Sequence, residues 1–238
     1  MRKSKLKPAW QIETEIYIPR IHKAIDVLSR GTLKSTELPA GPFEAQLSEE
    51  QHMLYSLAMF SRSGVIVVDQ LLDNIGLLWS EGRMVGIGGL VRFALEYWAA
   101  IHFGRKISEN YFSDGNIEIA TQKTAKLTHS GKTPVKLPWG RFTTNPAYSV
   151  ATFLQLLEKS HPHTKEDYDF LSEATHPNFL QNFYFIMASR TYDNFSNDTF
   201  KKHAHGLLEN VVVAIERIAA GLSEDVEASI RSILPRLP

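Results

Sequence analysis

The chain of 238 residues contains no cysteine. That absence excludes disulfides, thiolate metal centres and a cysteine nucleophile together. It also lacks an excess of charge of either sign: 26 Lys plus Arg face 26 Asp plus Glu. No global field therefore steers the whole molecule towards nucleic acid or an anionic membrane, and any such role must come from a local patch. A long hydrophobic run is missing too. "GVIVVDQLLDNIGLLW" and "GIGGLVRFALEYWAAIHFG" contain charges or fall short of the roughly 20 apolar residues that a crossing needs, so no membrane partner is expected. The start, "MRKSKLKPAW", is basic, but the following "QIETEIYIPR" is broken by Glu13, Glu15 and Pro19 where a signal peptide needs an apolar region. The reading is a cytoplasmic chain. Internal repeats, low-complexity tracts and a clear two-residue alternation between hairpin turns are absent as well, although "VIVV" and "NFYFIM" have the composition of short strands.

What is there is helical. Pro19 at a start and Gly31 past an end bracket "PRIHKAIDVLSR" as a short helix whose Ile21, Ala24, Ile25 and Leu28 would dock on the main body. "STELPAGPF" then reads as a linker. From Ser48, where Ser48 and Gln51 form a capping box, a long helix runs towards Trp79, with a break expected near Ser61 to Gly64. Further helices are expected over residues 85–112, in "DGNIEIATQKTAKLTH", in "YSVATFLQLLEKS" and in "TKEDYDFLSEATH", and a final pair in "DTFKKHAHGLLENVVVAIERIAAG" and "SEDVEASIRSIL". Residues 130–146, rich in Gly, Pro, Thr and Asn, read as a loop. The fold class is all-α: a helical-bundle domain over residues 43–238 with long central helices, preceded by an N-terminal extension, residues 1–42, with one short helix.

Within "GIGGLVRFALEYWAAIHFG" the residues Ile87, Leu90, Val91, Ala94, Leu95, Trp98 and Ile101 make a core stripe, and Arg92 and Glu96 lie roughly opposite. On a wet face this pair is a surface contact of about 0.2–0.5 kcal/mol. Phe93, Tyr97, Ala100 and Phe103 share its side, however, and a helix apolar all round is usually central, which favours a sheltered pair. A sheltered arginine has five donors to satisfy, so one glutamate is not enough. "TKEDYDFLSEATHPNF" offers partners: Thr164 and Asp167 give a capping start, Pro177 stops the helix at His176, and Tyr168, Ser172 and His176 are successive i, i+4 neighbours. His176 has two readings, a helix-end residue favoured by the dipole or a member of a polar cluster that titrates near neutrality.

"VRFALEYW" followed by "YDFLSEATHPN", with "LPWGRFT" before "YSVATFLQLLE", resembles a prokaryotic family of uncharacterised helical proteins associated with the HEPN superfamily, in order over residues 45–220. The resemblance implies an all-helical fold, self-association, and a stress or defence setting. HEPN ribonucleases carry a histidine a few residues after an arginine as their catalytic motif. Here Arg92 is followed by His102, too far along, so the resemblance carries a fold and not a nuclease.

Other motifs are weaker. "HSGKT" lacks the earlier glycine of a phosphate-binding loop, where Lys126 stands, and Gly86, Gly88 and Gly89 form no dinucleotide fingerprint. His161 with His163, and His203 with His205, are i, i+2 pairs that point apart on a helix; only in the loop "SHPHTK" could the first chelate, and no carboxylate cluster is adjacent in sequence, so neither a metal nor any other cofactor is expected. Between Ile119 and Leu157 there is no acidic residue, while Lys123, Lys126, Lys132, Lys136 and Arg141 accompany Trp139, Phe142 and Tyr148. Basic residues with aromatics suit single-stranded nucleic acid, and a solvated loop balancing acidic helices is the plainer reading. Three functions follow: a self-associating HEPN-like helical protein; an RNA-cleaving or nucleotide-modifying enzyme whose catalytic set comes from Arg92, Glu96, Tyr168, Ser172 and His176, with Arg92 on a phosphate and His176 as acid or base; or a binder of RNA through residues 119–148, with Lys123, Lys126, Lys132, Lys136, Trp139 and Arg141 as contacts.

Overall fold

In the computed structural model, which describes residues 15–31, 47–83, 86–129, 135–136, 142–143, 148–175 and 198–237, the chain is an all-α helical bundle. The described helices are α1 (Ile18–Gly31), α2 (Glu49–Ser80), α3 (Ile87–Asp114), α4 (Ile117–His129), α5 (Val150–Ser160), α6 (Thr164–Thr175) and α7 (Asp198–Ile233), and α7 ends in a 3-10 turn, Leu234–Arg236. Between α4 and α5 two short strands, β1 (Val135–Lys136) and β2 (Phe142–Thr143), pair antiparallel inside the segment read as a loop. The "VIVV" stretch is helical, and "NFYFIM" and the 42/43 boundary lie outside the described residues.

Local rules set these elements. The Ser48 side chain accepts from the backbone N–H of Gln51 and the Gln51 side chain accepts from that of Ser48, the reciprocal box that satisfies two orphan donors at the head of α2. α2 then runs unbroken through Ser61 to Gly64: both are buried, and a Cβ on Gly64 would press on Ile101 of α3. α3 ends at Gly115, whose φ of 68° is the left-handed cap that favours glycine. The two segments expected at the C-terminal end are one helix, since Gly221 between them does not interrupt α7.

α2 and α3 pack antiparallel, with Leu57 near Gly104 and Gly64 against Tyr97 and Ile101. The larger core gathers Val91, Leu95 and Trp98 of α3, Leu72 and Trp79 of α2, and Val212, Ile215 and Leu222 of α7. α1 belongs to the same core: Ile21, Ala24 and Leu28 are buried, and Ile21 and Ile25 seat on Gly76 of α2. A smaller core joins Met53, Leu54, Leu57, Ile107, Ala120 and Ile233. Each valine, leucine, isoleucine or methionine so sealed from water contributes about 1.5–3 kcal/mol of transfer free energy. Among the described residues no helix is long and apolar enough to cross a membrane.

Candidate functional site

Among the described residues, two polar clusters built on α3 interrupt the apolar packing. The first is the expected one. Nε of Arg92 donates to Oε1 of Glu96 at 3.0 Å, Nη2 to the hydroxyl of Tyr168 at 2.9 Å and Nη1 to Oγ1 of Thr175 at 3.2 Å, with the guanidinium 4.9 Å from the Tyr168 ring centroid. The side chains of Arg92 and Glu96 are 30% and 21% exposed, so the pair is sheltered without being sealed. α3 is not buried all round: Phe93 on the outer side is 58% exposed. Ser172 shares α6 with Tyr168, but its hydroxyl is buried and has no hydrogen-bond partner among the described residues, so it does not join the cluster. His176 lies outside the described residues.

α6 does not begin as Thr164 and Asp167 led us to expect. Its cap comes from α5: the Glu158 carboxylate accepts from the backbone N–H of His163 at 3.1 Å and of Lys165 at 2.8 Å, and from the Thr164 hydroxyl at 3.0 Å. Burial alone would raise the Glu158 carboxyl; these donors outweigh it and hold it below its ordinary value. Asp167 instead pairs with Arg217 of α7. Glu158 thereby fixes a tight turn in which His163 takes a left-handed φ of 74° and His161, the residue that ends α5, turns inward.

Inward of that turn lies the second cluster, around Asp225 of α7. Trp98, His102 and Arg105 stand at i, i+4 and i+7 on α3 and so face one way. Nε1 of Trp98 donates to Oδ2 of Asp225 at 2.7 Å, Nη1 of Arg105 to Oδ1 at 2.7 Å, and Nδ1 of His102 lies 3.0 Å from both oxygens. A carboxylate only accepts, so the His102 proton sits on Nδ1; Nε2 of His102 is buried with no hydrogen-bond partner among the described residues. His161 stacks edge-on against Trp98 and His102, ring centroids 4.9 and 5.4 Å away, and brings Nε2 to 3.8 Å from Oδ2 of Asp225. His102 and Asp225 are 1% and 0% exposed, His161 17% and Arg105 19%. Gly221, one turn before Asp225, admits the indole: any Cβ there would overlap the ring of Trp98.

The electrostatics are those of a sealed carboxylate. Burial on its own would raise the Asp225 carboxyl, but the bonds and charges of His102, Trp98 and Arg105 reverse this and leave it below its ordinary value. For His161 burial wins: it pushes the imidazole below its ordinary value against the attraction of Asp225. One guanidinium thus balances one carboxylate, and Glu109 in turn holds Nε of Arg105 at 2.6 Å.

Sequence reasoning missed this centre. His102 appeared only as a residue too far from Arg92, and His161 only beside His163. The available signal was position: Leu222, Asp225, Val226, Ser229 and Ile230 recur at the spacing of one buried face of α7, with a carboxylate among the apolar residues. The basic segment is only partly described. Lys126 lies 4.3 Å over the ring of Tyr148, which also packs on Phe103 and Phe153, so that ring is already occupied. Lys123 is half-buried on α4, Lys136 is described only as backbone in β1, and Lys132, Trp139 and Arg141 lie outside the described residues. No protein-family model, curated protein or solved structure matches the chain.

Proposed function

We propose that the protein is a self-associating helical protein of HEPN-like type that binds rather than cuts, acting in the cytoplasm in a stress or defence setting. The setting and the compartment rest on the sequence, on the resemblance carried by "VRFALEYW" and "YDFLSEATHPN". One observation carries the choice of binding over cleavage. Arg92, the group that an RNA-cleaving mechanism would aim at a phosphate, commits all three of its nitrogens to Glu96, Tyr168 and Thr175. Self-association is supported by α2, on which Met59, Ile66 and Leu77 are exposed at intervals of seven and eleven residues, spacings that return a helix to nearly the same face.

The test combines light scattering at micromolar concentration with incubation in mixed RNA. The wild type is expected to be a dimer that an Ile66→Glu variant converts to monomer, and to leave the RNA intact. A wild type that stays monomeric removes self-association. RNA cleavage that disappears in Arg92→Ala replaces the binding reading with the enzymatic one.

A further inference from the structure

We propose that His102, His161 and Asp225 form a binding site for one divalent transition-metal ion of the zinc type. One ligand atom from each residue lies within 4.8 Å of those of the other two. Two imidazoles and a carboxylate are a donor set that zinc takes with three protein ligands and a water in the fourth place. Magnesium and calcium prefer oxygen shells, which this trio does not offer. Zinc bonds of about 2.1 Å put tetrahedral ligand atoms roughly 3.4 Å apart, closer than the 3.8 Å between Nε2 of His161 and Oδ2 of Asp225, so binding draws these two together.

The residue placed to make that movement is His161. It ends α5 with non-helical backbone angles, φ −132° and ψ 85°, and its ring is the most accessible of the three. His102 and Asp225 are held by the packing of α3 on α7 and supply the rigid side of the site. A second observation points to a ligand. Buried nitrogens are almost always satisfied, yet Nε2 of His102 is sealed with no hydrogen-bond partner among the described residues. An ion relieves it, by ligation there or by a turn of the ring. Arg105 occupies Oδ1 of Asp225 as the present cation, and Glu109 keeps a hold on its Nε when the ion displaces it. Because His102 and Asp225 are closed to water, what enters past His161 is ion-sized; an organic substrate is too large.

The experiment uses the full chain without a histidine tag, stripped with a chelator and then titrated with ZnCl2 or CoCl2 alone. One equivalent is expected by calorimetry, with the visible bands of tetrahedral cobalt and a raised Tm. His161→Ala, at the accessible ligand, is expected to keep the helical circular-dichroism spectrum and lose the cobalt bands. Its zinc affinity should fall by at least the roughly 10–100-fold that loss of an outer-shell partner costs. His163→Asn, at an exposed neighbour paired with Glu166 and in a backbone conformation that asparagine tolerates, is expected to bind as the wild type does. A wild type with neither cobalt bands nor a Tm shift overturns the site, and so does a folded His161→Ala that binds undiminished or a His163→Asn that does not bind. None of these readouts depends on self-association. A monomer that binds zinc defeats the proposed function alone, and a dimer that does not defeats this site alone.

Discussion

The Arg92 and Asp225 clusters use the same materials, one charge ringed by hydrogen-bonding side chains, and differ in their access to water. Arg92 draws its counter-ion from its own helix, one turn away, and about a third of its side chain remains wet. Asp225 gathers Trp98, His102 and Arg105 from α3, with His161 of a third element close by, and is wholly dry. Water substitutes for a lost partner in the first case and cannot in the second. Burial therefore sets the energetic weight of each cluster more than its number of contacts does.

Removing the anion tests that contrast at its strongest. Asp225→Ala strands the Trp98 N–H and the His102 ring in the core, and should cost on the order of 3–5 kcal/mol in chemical denaturation. A loss below about 1 kcal/mol would place both clusters in the same regime. Glu158→Gln asks what holds His161 beside the dry centre. Its loss of cap strength should be about 1 kcal/mol at neutral pH. The sign follows from a depressed carboxyl: the contribution is present above the ordinary glutamate value of about 4.3 and disappears as pH falls through the lower folded value. Melting curves of wild type and variant should therefore differ near neutrality and converge as pH falls through that lower value; a gap that persists at low pH would mean that the amide fails for steric reasons. The smallest effect belongs to Arg92→Ala, within about 1 kcal/mol and reduced further by salt. A loss comparable to that of Asp225→Ala would mean that the wetter cluster is the sealed one in solution.

The same contrast explains which parts were legible in the sequence. Features written in neighbouring positions could be read: the Ser48–Gln51 box, the α1 stripe of Ile21, Ala24 and Leu28, and the i, i+4 spacing of Arg92 and Glu96. Tyr168 was reachable because its helix carries a run of polar residues at helical spacing. The Asp225 centre was not, since His102 and Asp225 stand 123 positions apart and no periodicity links them. Glu158 was missed for a related reason: a start at Thr164 follows from residues inside α6, whereas the carboxylate that caps it belongs to the preceding helix. Breaks expected at Gly64 and Gly221 were absent because glycine's weak helix propensity yields where its missing side chain lets another helix or a ring approach.

α1 is held to α7 by more than grease. Arg20 reaches Glu209 at 2.6 Å and Glu216 at 2.7 Å, Tyr17 bonds to His205, and the Tyr17 ring meets Trp79 of α2 edge-on. This opening helix works as a keystone: a chain trimmed past residue 31 would leave two carboxylates without their guanidinium and bare a seam of leucine, isoleucine and tryptophan, inviting the cut molecules to clump.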